Sequence, residues 1–209
     1  KAEAFREAFN NVRKATKEAT HYDAHTGQAG SLLGNYALQI IQSKLDHLLA
    51  GTAPGFRDPD DPYVNLQQLG FSTDAKEGSE TEGLLLLDTS KLTTALNSNP
   101  NAAADVFSAY LQGISGDSQL AFQSALDSTT PGIYDVEVDL DPASGNYKKG
   151  RFRPEGEADW HPWVDLSGTS GNYTLTGATG YAEKGLALHI TYTDGSLHTS
   201  EVRLKNGVI

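Results

Sequence analysis

Four groups of residues in this chain have types and spacing that could do chemistry. His21, Asp23 and His25 pair imidazole with carboxylate, both of which bind zinc. The glycine-rich loop around them does not complete a ligand set, so a solvated loop is the expectation. Asp58, Asp60 and Asp61 could suggest calcium, which takes about six to eight oxygens. The glycine and distal glutamate of an EF-hand loop are absent, and a solvated proline and aspartate turn is favoured. Asp139 with Asp141, or Glu155 and Glu157 with Asp159, could be the acid and nucleophile of a glycosidase. The first pair brackets a turn and the second lies in a polar loop, which again favours solvent. The fourth group is aromatic. Trp160-His161-Pro162-Trp163 could stack on a sugar or anchor an interface, although a core tryptophan plus an edge residue is the plainer reading. Because loops of an outer domain carry recognition, Trp160, His161 and Trp163 are the candidate contact for a host glycan or surface protein.

What is missing matters equally. The chain has no cysteine, which excludes disulfides, thiolate metal sites and cysteine nucleophiles. No glycine-rich phosphate loop or nucleophile elbow occurs. A formal charge of −11 argues against nucleic acid, whose phosphates need clustered lysine and arginine. No apolar run approaches the roughly 20 residues that span a bilayer, so no membrane insertion is expected. The expectation is a protein that is not an enzyme and has no cofactor and no metal. Without methionine, and beginning at Lys1 inside a helical pattern, the sequence reads as a fragment.

These residues need elements to position them. Ala4, Phe5, Ala8, Phe9, Val12, Ala15 and Ala19 recur at helical spacing and predict a helix over about 2–19. Arg6, Arg13, Lys14 and Lys17 lie on its other face, a solvated surface or a contact surface. A loop rich in glycine leads to Asn35, a cap for a helix over 36–50 that should bury Leu38, Ile41, Leu45, Leu48 and Leu49. Gly51 suits a left-handed exit. The two helices should pack antiparallel. Leu69–Thr73 and Gly83–Asp88 predict a hairpin within 69–88. Asp88 caps a helix over 89–97, and Asn99-Pro100 opens another over 100–112, which Gly113 ends. Asp117 or Ser118 caps a last helix over 118–127. Ser128–Gly132 breaks the chain, and alternation such as Tyr134, Val136 and Val138 then predicts short strands to the end. Asp194-Gly195 signals a tight hairpin. The expected fold is α+β: an N-terminal helical region with a short β-hairpin over 1–130, followed by an all-β antiparallel sandwich-like domain over 131–209.

The order of residues carries a resemblance. Ala8-Phe9-Asn10, Thr20-x-Tyr22-Asp23, Thr26-Gly27 and Gly30-x-Leu32-Leu33-Gly34-Asn35 form one block. Gly83-Leu-x-Leu, Asp88, Lys91-Leu92, Ala95-Leu96, Asn99-Pro100 and Val106-Phe107 form a second. Together they resemble the C-terminal region of the flagellar hook-associated protein 2 family, which caps the bacterial flagellar filament. The resemblance covers Phe5 to Phe107. It departs at Asn35, where the family often has aspartate, and in the long β insertion after Phe107, where the family's helical region usually continues toward a coiled-coil end. Gly177–Gly180 and Gly185–Leu188 are similar to β-domains of flagellar hook and cap proteins. The resemblance implies secretion through the flagellar export apparatus, location at the filament tip, and a ring-shaped homo-oligomer. It also implies contact with flagellin and other hook-associated proteins. On that reading the face with Arg6, Arg13, Lys14 and Lys17 could meet a neighbouring subunit. The alternative is a surface adhesin whose β-domain binds a glycan or protein.

Overall fold

The computed structural model describes residues 1–23 and 25–208, with the side chain of Asp23 outside the description. The chain forms two compact units: Lys1–Thr52 with Pro62–Val106 and Val208, and Ala53–Asp61 with Phe107–Gly207. The second unit therefore begins near residue 107, and the breaker run at 128–132 lies inside it. Helices and antiparallel sheets together give the expected α+β class.

In the first unit, α1 spans Ala2–Thr20. A two-residue ladder follows, β1 (Tyr22–Asp23) against β2 (Gln28–Ala29). Asn35 then caps α2 (Tyr36–Ala50), accepting hydrogen bonds from the N–H groups of Ala37 and Leu38. The apolar faces of these helices are less covered than their periodicity predicts. In α1 only Phe9 and Thr16 are buried, and in α2 only Leu49. Ile41, expected inside, is 43 % exposed. Contact between α1 and α2 includes an ion pair from Arg13 to Asp46. Gly51 is extended at φ −69°, so it is not a left-handed exit. It is glycine for space: a Cβ there would sit 2.6 Å from the His47 carbonyl oxygen.

A single 3₁₀ turn (Gln67–Leu69) leads into β3 (Phe71–Thr73), which pairs antiparallel with β4 (Leu85–Leu87) in the expected hairpin. Asp88 caps α3 (Thr89–Ser98) by accepting from the Lys91 N–H. Asn99 accepts from Ala102 at the start of α4 (Pro100–Phe107). That helix is shorter than expected. Gly113 does not end it but lies in a strand, where a Cβ would run into the Phe122 ring.

The second unit is a sandwich. Its strands are β5 (Gln112–Ser115), β6 (Leu120–Ser124), β7 (Gly132–Asp139), β8 (Lys149–Pro154), β9 (Val164–Asp165), β10 (Ser167–Thr169), β11 (Asn172–Thr176), β12 (Ala187–Ile190) and β13 (Leu197–Lys205). One sheet has the order β10-β11-β12-β6 and the other β5-β13-β7-β8-β9. Leu120, Tyr134, Val136, Phe152, Leu175, Leu188 and Val202 share one core across the two sheets. Such inward residues alternate with outward ones along β7, β8, β11 and β12, the pattern two packed sheets require.

Two expectations change here. The helix expected over 118–127 is β6, because Asp117 makes a turn: its carboxylate accepts from the Gln119 N–H and its carbonyl from the Leu120 N–H. The Asp194-Gly195 turn is not a hairpin either. β12 pairs with β6 and β11, β13 with β5 and β7, and the turn carries the chain from one sheet to the other.

Each unit pairs the backbone near residue 107 with the backbone near residue 207. Gly207 donates its N–H to Ser108, and Val208 donates to Val106, both at 2.7 Å.

Candidate functional site

The cations of α1 divide into two kinds. Arg6 pairs with Glu3 at 2.8 Å, a contact one helical turn apart. Arg13 pairs with Asp46 and lies 5.4 Å from the centre of the Phe9 ring. Lys14 and Lys17 are exposed and make no ion pair among the described residues. A shallow cavity of about 240 Å³ lies beside Lys17, lined also by Arg13, Thr20, Gln42 and Leu84. In the same unit Leu32, Leu33, Tyr36, Ile40 and Ile41 are all exposed, Tyr36 to 73 %. The start of α2 and the turn before it thus present five large apolar side chains to solvent.

Behind this surface, α1 holds β4 through one side chain. Asn10 accepts a hydrogen bond from the Leu85 N–H at 2.7 Å and donates its amide to the Leu85 carbonyl at 3.0 Å. The two groups belong to the edge of β4 that β3 leaves open. Phe5 packs edge-on against Phe71 of β3 at 5.7 Å. Asn10 and the leucine run are the centres of the two sequence blocks, and the fold joins them directly.

The aromatic cluster of the sandwich is divided by the structure. Trp160 stacks against Arg151 and Arg153, and Trp163 against Arg151, with guanidinium to ring-centre distances of 4.8, 4.6 and 4.3 Å. Each arginine is also paired across the sheet, Arg151 with Glu137 and Arg153 with Asp135, both at 2.6 Å. Both tryptophans are half-buried and clamp their loop onto β8. His161 turns elsewhere. Its Nδ1 meets the buried Glu183 carboxylate at 2.8 Å and its Nε2 meets Glu157 at 3.2 Å. Its ring lies on Tyr181. Trp160, His161 and Trp163 therefore do not form one flat platform.

Of the carboxylates weighed for catalysis, Asp139, Asp141, Glu155 and Glu157 have structural partners, and Asp159 is exposed. Asp139 is buried, accepts from the Asp141 N–H at 3.0 Å and from the Ser144 hydroxyl, and so shapes the β7–β8 turn. Glu155 pairs with Arg57 at 2.7 Å and Glu157 with His161. Among the described residues no cluster of three or more His, Cys, Asp or Glu could hold a metal ion. The Asp23 side chain, part of the zinc candidate, lies outside the described residues.

Ser196, His198 and Asp194 are a constellation that strand alternation did not reveal. The geometry rules out a relay. Both the Ser196 hydroxyl (3.3 Å) and the Asp194 carboxylate (2.5 Å) approach the same imidazole nitrogen, Nε2. A catalytic triad needs them on opposite nitrogens. The His198 ring instead stacks flat on Tyr192.

The aspartates at 58–61 are not simply a solvated turn. Asp61 is buried, paired with Arg203 at 2.6 Å and with Lys205. Burial pushes its carboxyl up, but the Lys205 hydrogen bond, the Arg57 N–H and the charges of Lys205 and Arg203 outweigh that and hold it below the usual range. Glu201 and Glu155 hold the Arg57 guanidinium well above its ordinary value against partial desolvation.

Comparison with known proteins bears on the whole arrangement. The family model described as "Flagellar hook-associated protein 2 C-terminus" matches residues 1–150. Flagellar hook-associated protein 2 of Helicobacter pylori (strain ATCC 700392 / 26695) is 34 % identical over 103 residues, 49 % of this chain and 14 % of that protein. The protein of the same name from Escherichia coli (strain K12) is 32 % identical over 90 residues, 43 % of this chain and 17 % of that protein. The matched stretch is thus a small part of each curated relative. No solved structure matches. The α1 clamp on β4, the capped helices and the family match fall on the same residues, and this chain belongs to the flagellar hook-associated protein 2 family, to its C-terminal part.

Proposed function

We propose that the chain is part of a filament cap, a non-enzymatic protein at the tip of the bacterial flagellum that helps incoming flagellin assemble. The family match over residues 1–150 carries this reading. The mechanism is steric and interfacial. Leu32, Leu33, Tyr36, Ile40 and Ile41 form the surface that packs against a neighbouring subunit in a ring, with Lys14 and Lys17 exposed on α1 and without an ion pair among the described residues. Exposed apolar side chains grouped in this way mark an interaction surface. Flagellin and other hook-associated proteins are the further partners, and export through the flagellar apparatus places the protein outside the cell. The tryptophans of the sandwich are occupied by Arg151 and Arg153, so capping is preferred over glycan adhesion as the primary role.

The test is complementation of a strain lacking the natural copy. The full-length protein should restore filaments. A Tyr36→Asp, Ile40→Asp variant should fold, yet leave short filaments and flagellin shed into the medium. Full-length filaments in the strain without any copy would overturn the capping role. Full-length filaments with the double variant would overturn the assignment of this surface.

A further inference from the structure

The segment Ala53–Asp61 belongs to the second unit, while the residues on both sides of it, Thr52 and Pro62, belong to the first. It lies on the outward face of β13. That strand already has both edges paired, by β5 and by β7, so the segment cannot join the sheet as a further strand. One backbone hydrogen bond ties it to the chain following β13, from the Asn206 N–H to the Pro54 carbonyl at 3.1 Å. Its other backbone bonds close within itself, Phe56 to Ala53 and Asp61 to Arg57.

Besides the buried Ala53 and Phe56, what holds it is a row of charges. The outward side chains of β13 read Glu201, Arg203, Lys205, and the segment answers with Arg57 and Asp61. Arg57 donates to Glu201 at 3.0 and 2.8 Å and to Glu155 at 2.7 Å. Asp61 accepts from Arg203 and Lys205. Phe56 is buried beneath the Lys205 ammonium, which sits 4.7 Å from its ring centre. Gly55 passes so close to β13 that a Cβ would lie 2.2 Å from the Leu204 carbonyl oxygen.

We propose that Ala53–Asp61 is an ionic strap that unlatches from β13 on acidification while the sandwich beneath it stays folded. The sandwich keeps its own core across both sheets, and no strap residue contributes to that core. The strap lacks a ladder and depends on paired charges, of which Asp61 is the buried acid. When that carboxyl takes a proton, Arg203 and the buried Lys205 lose their counter-charge, and an uncompensated buried cation is costly. The charged groups facing the strap are Glu201, Arg203 and Lys205 of β13 and Glu155 after β8; Arg57, Asp58, Asp60 and Asp61 lie on the strap itself. Asp61 titrates below the ordinary aspartate range when docked, so the latch is complete above that range and is lost as pH falls through the docked value. Unlatching frees Ala53–Asp61, which among the described residues before 107 is the stretch that belongs to the second unit.

The test uses the whole chain at neutral pH. Asp61→Asn mimics the protonated acid. Trypsin should then cleave after Arg57 at least tenfold faster than in the parent chain, while the amides of Tyr173, Leu188 and Val202 keep their hydrogen-exchange protection. If Asp61→Asn does not fold, Glu201→Gln loosens the strap from the other side and keeps the cleavage site. In the parent chain, acidification should lower the exchange protection factors of Phe56 and Asp61, taken against intrinsic rates at each pH, before it lowers those of the three sandwich amides. Unchanged cleavage in the folded variant would overturn the proposal, as would strap and sandwich amides opening together.

Discussion

Replacing Asn10 by alanine isolates the link between α1 and β4. Leu85 is 1 % exposed, and its N–H and carbonyl are both satisfied by the Asn10 side chain. Alanine leaves two backbone groups unpaired in a site with little access to water. Each orphaned buried group costs about 1–3 kcal/mol. Some relaxation toward solvent is available at the edge of a two-stranded sheet, so the expected loss is about 2–4 kcal/mol for the pair. Asn10→Asp separates the two halves of the contact. The carboxylate still accepts from the Leu85 N–H but turns an oxygen toward the Leu85 carbonyl, and the expected loss is about 1–3 kcal/mol. Asn11→Ala, at an exposed neighbour, should stay within about 0.5 kcal/mol. Both tryptophans lie in the second unit, so intrinsic fluorescence reports on the wrong part of the chain. Urea unfolding followed by exchange at the Leu85 amide is the suitable assay. A loss below about 0.5 kcal/mol for Asn10→Ala, or an unchanged Leu85 protection, would refute the reasoning.

Three further outcomes follow from the same geometry. Asp74 organises the β3–β4 turn, with its carboxyl lowered to about 2 by hydrogen bonds from Thr81, the Lys76 N–H and Ser79. That turn should stay ordered above the ordinary aspartate range and loosen as pH falls toward 2, and Asp74→Asn should remove this pH dependence in amide exchange at Gly83 and Leu84. Trp160→Ala deletes two stacking contacts and a half-buried ring, and should lower the stability of the second unit by about 2 kcal/mol in thermal unfolding. Lys17→Glu, at an exposed cation without an ion pair, should change the stability of the isolated chain by less than about 0.5 kcal/mol, measured by urea unfolding.

Local signals were read well where the deciding contacts are local. Asn35, Asp88 and Asn99 cap helices because the backbone N–H groups that donate to them lie two or three residues away. The alternation of Tyr134, Val136 and Val138 needed only one buried face. The signals failed where distant contacts decide. Asp117 followed by a mixed stretch fits a cap or a turn equally, and pairing with β12 resolves it as a turn before β6. An Asp-Gly turn does not say whether its flanking strands share a sheet. Asp61 meets its partners more than 140 residues later, and nothing near it in sequence distinguishes a clasped aspartate from a solvated one. The helical faces failed differently. Periodicity showed which side chains of α1 and α2 are apolar, but it could not show that Val12, Ile40 and Ile41 would remain uncovered in this chain.

The paired backbone at 106–108 and 207–208 has a practical meaning. A segment whose first and last residues are hydrogen-bonded to each other can be exchanged without a long bridging connection. The exchange has a condition, however. The chain before residue 107 supplies Phe56, Arg57 and Asp61 to this segment, so a chimera that replaces residues 107–207 must also replace 53–61. Otherwise it would be left with an aromatic ring and a pair of opposite charges fitted to a surface that is gone.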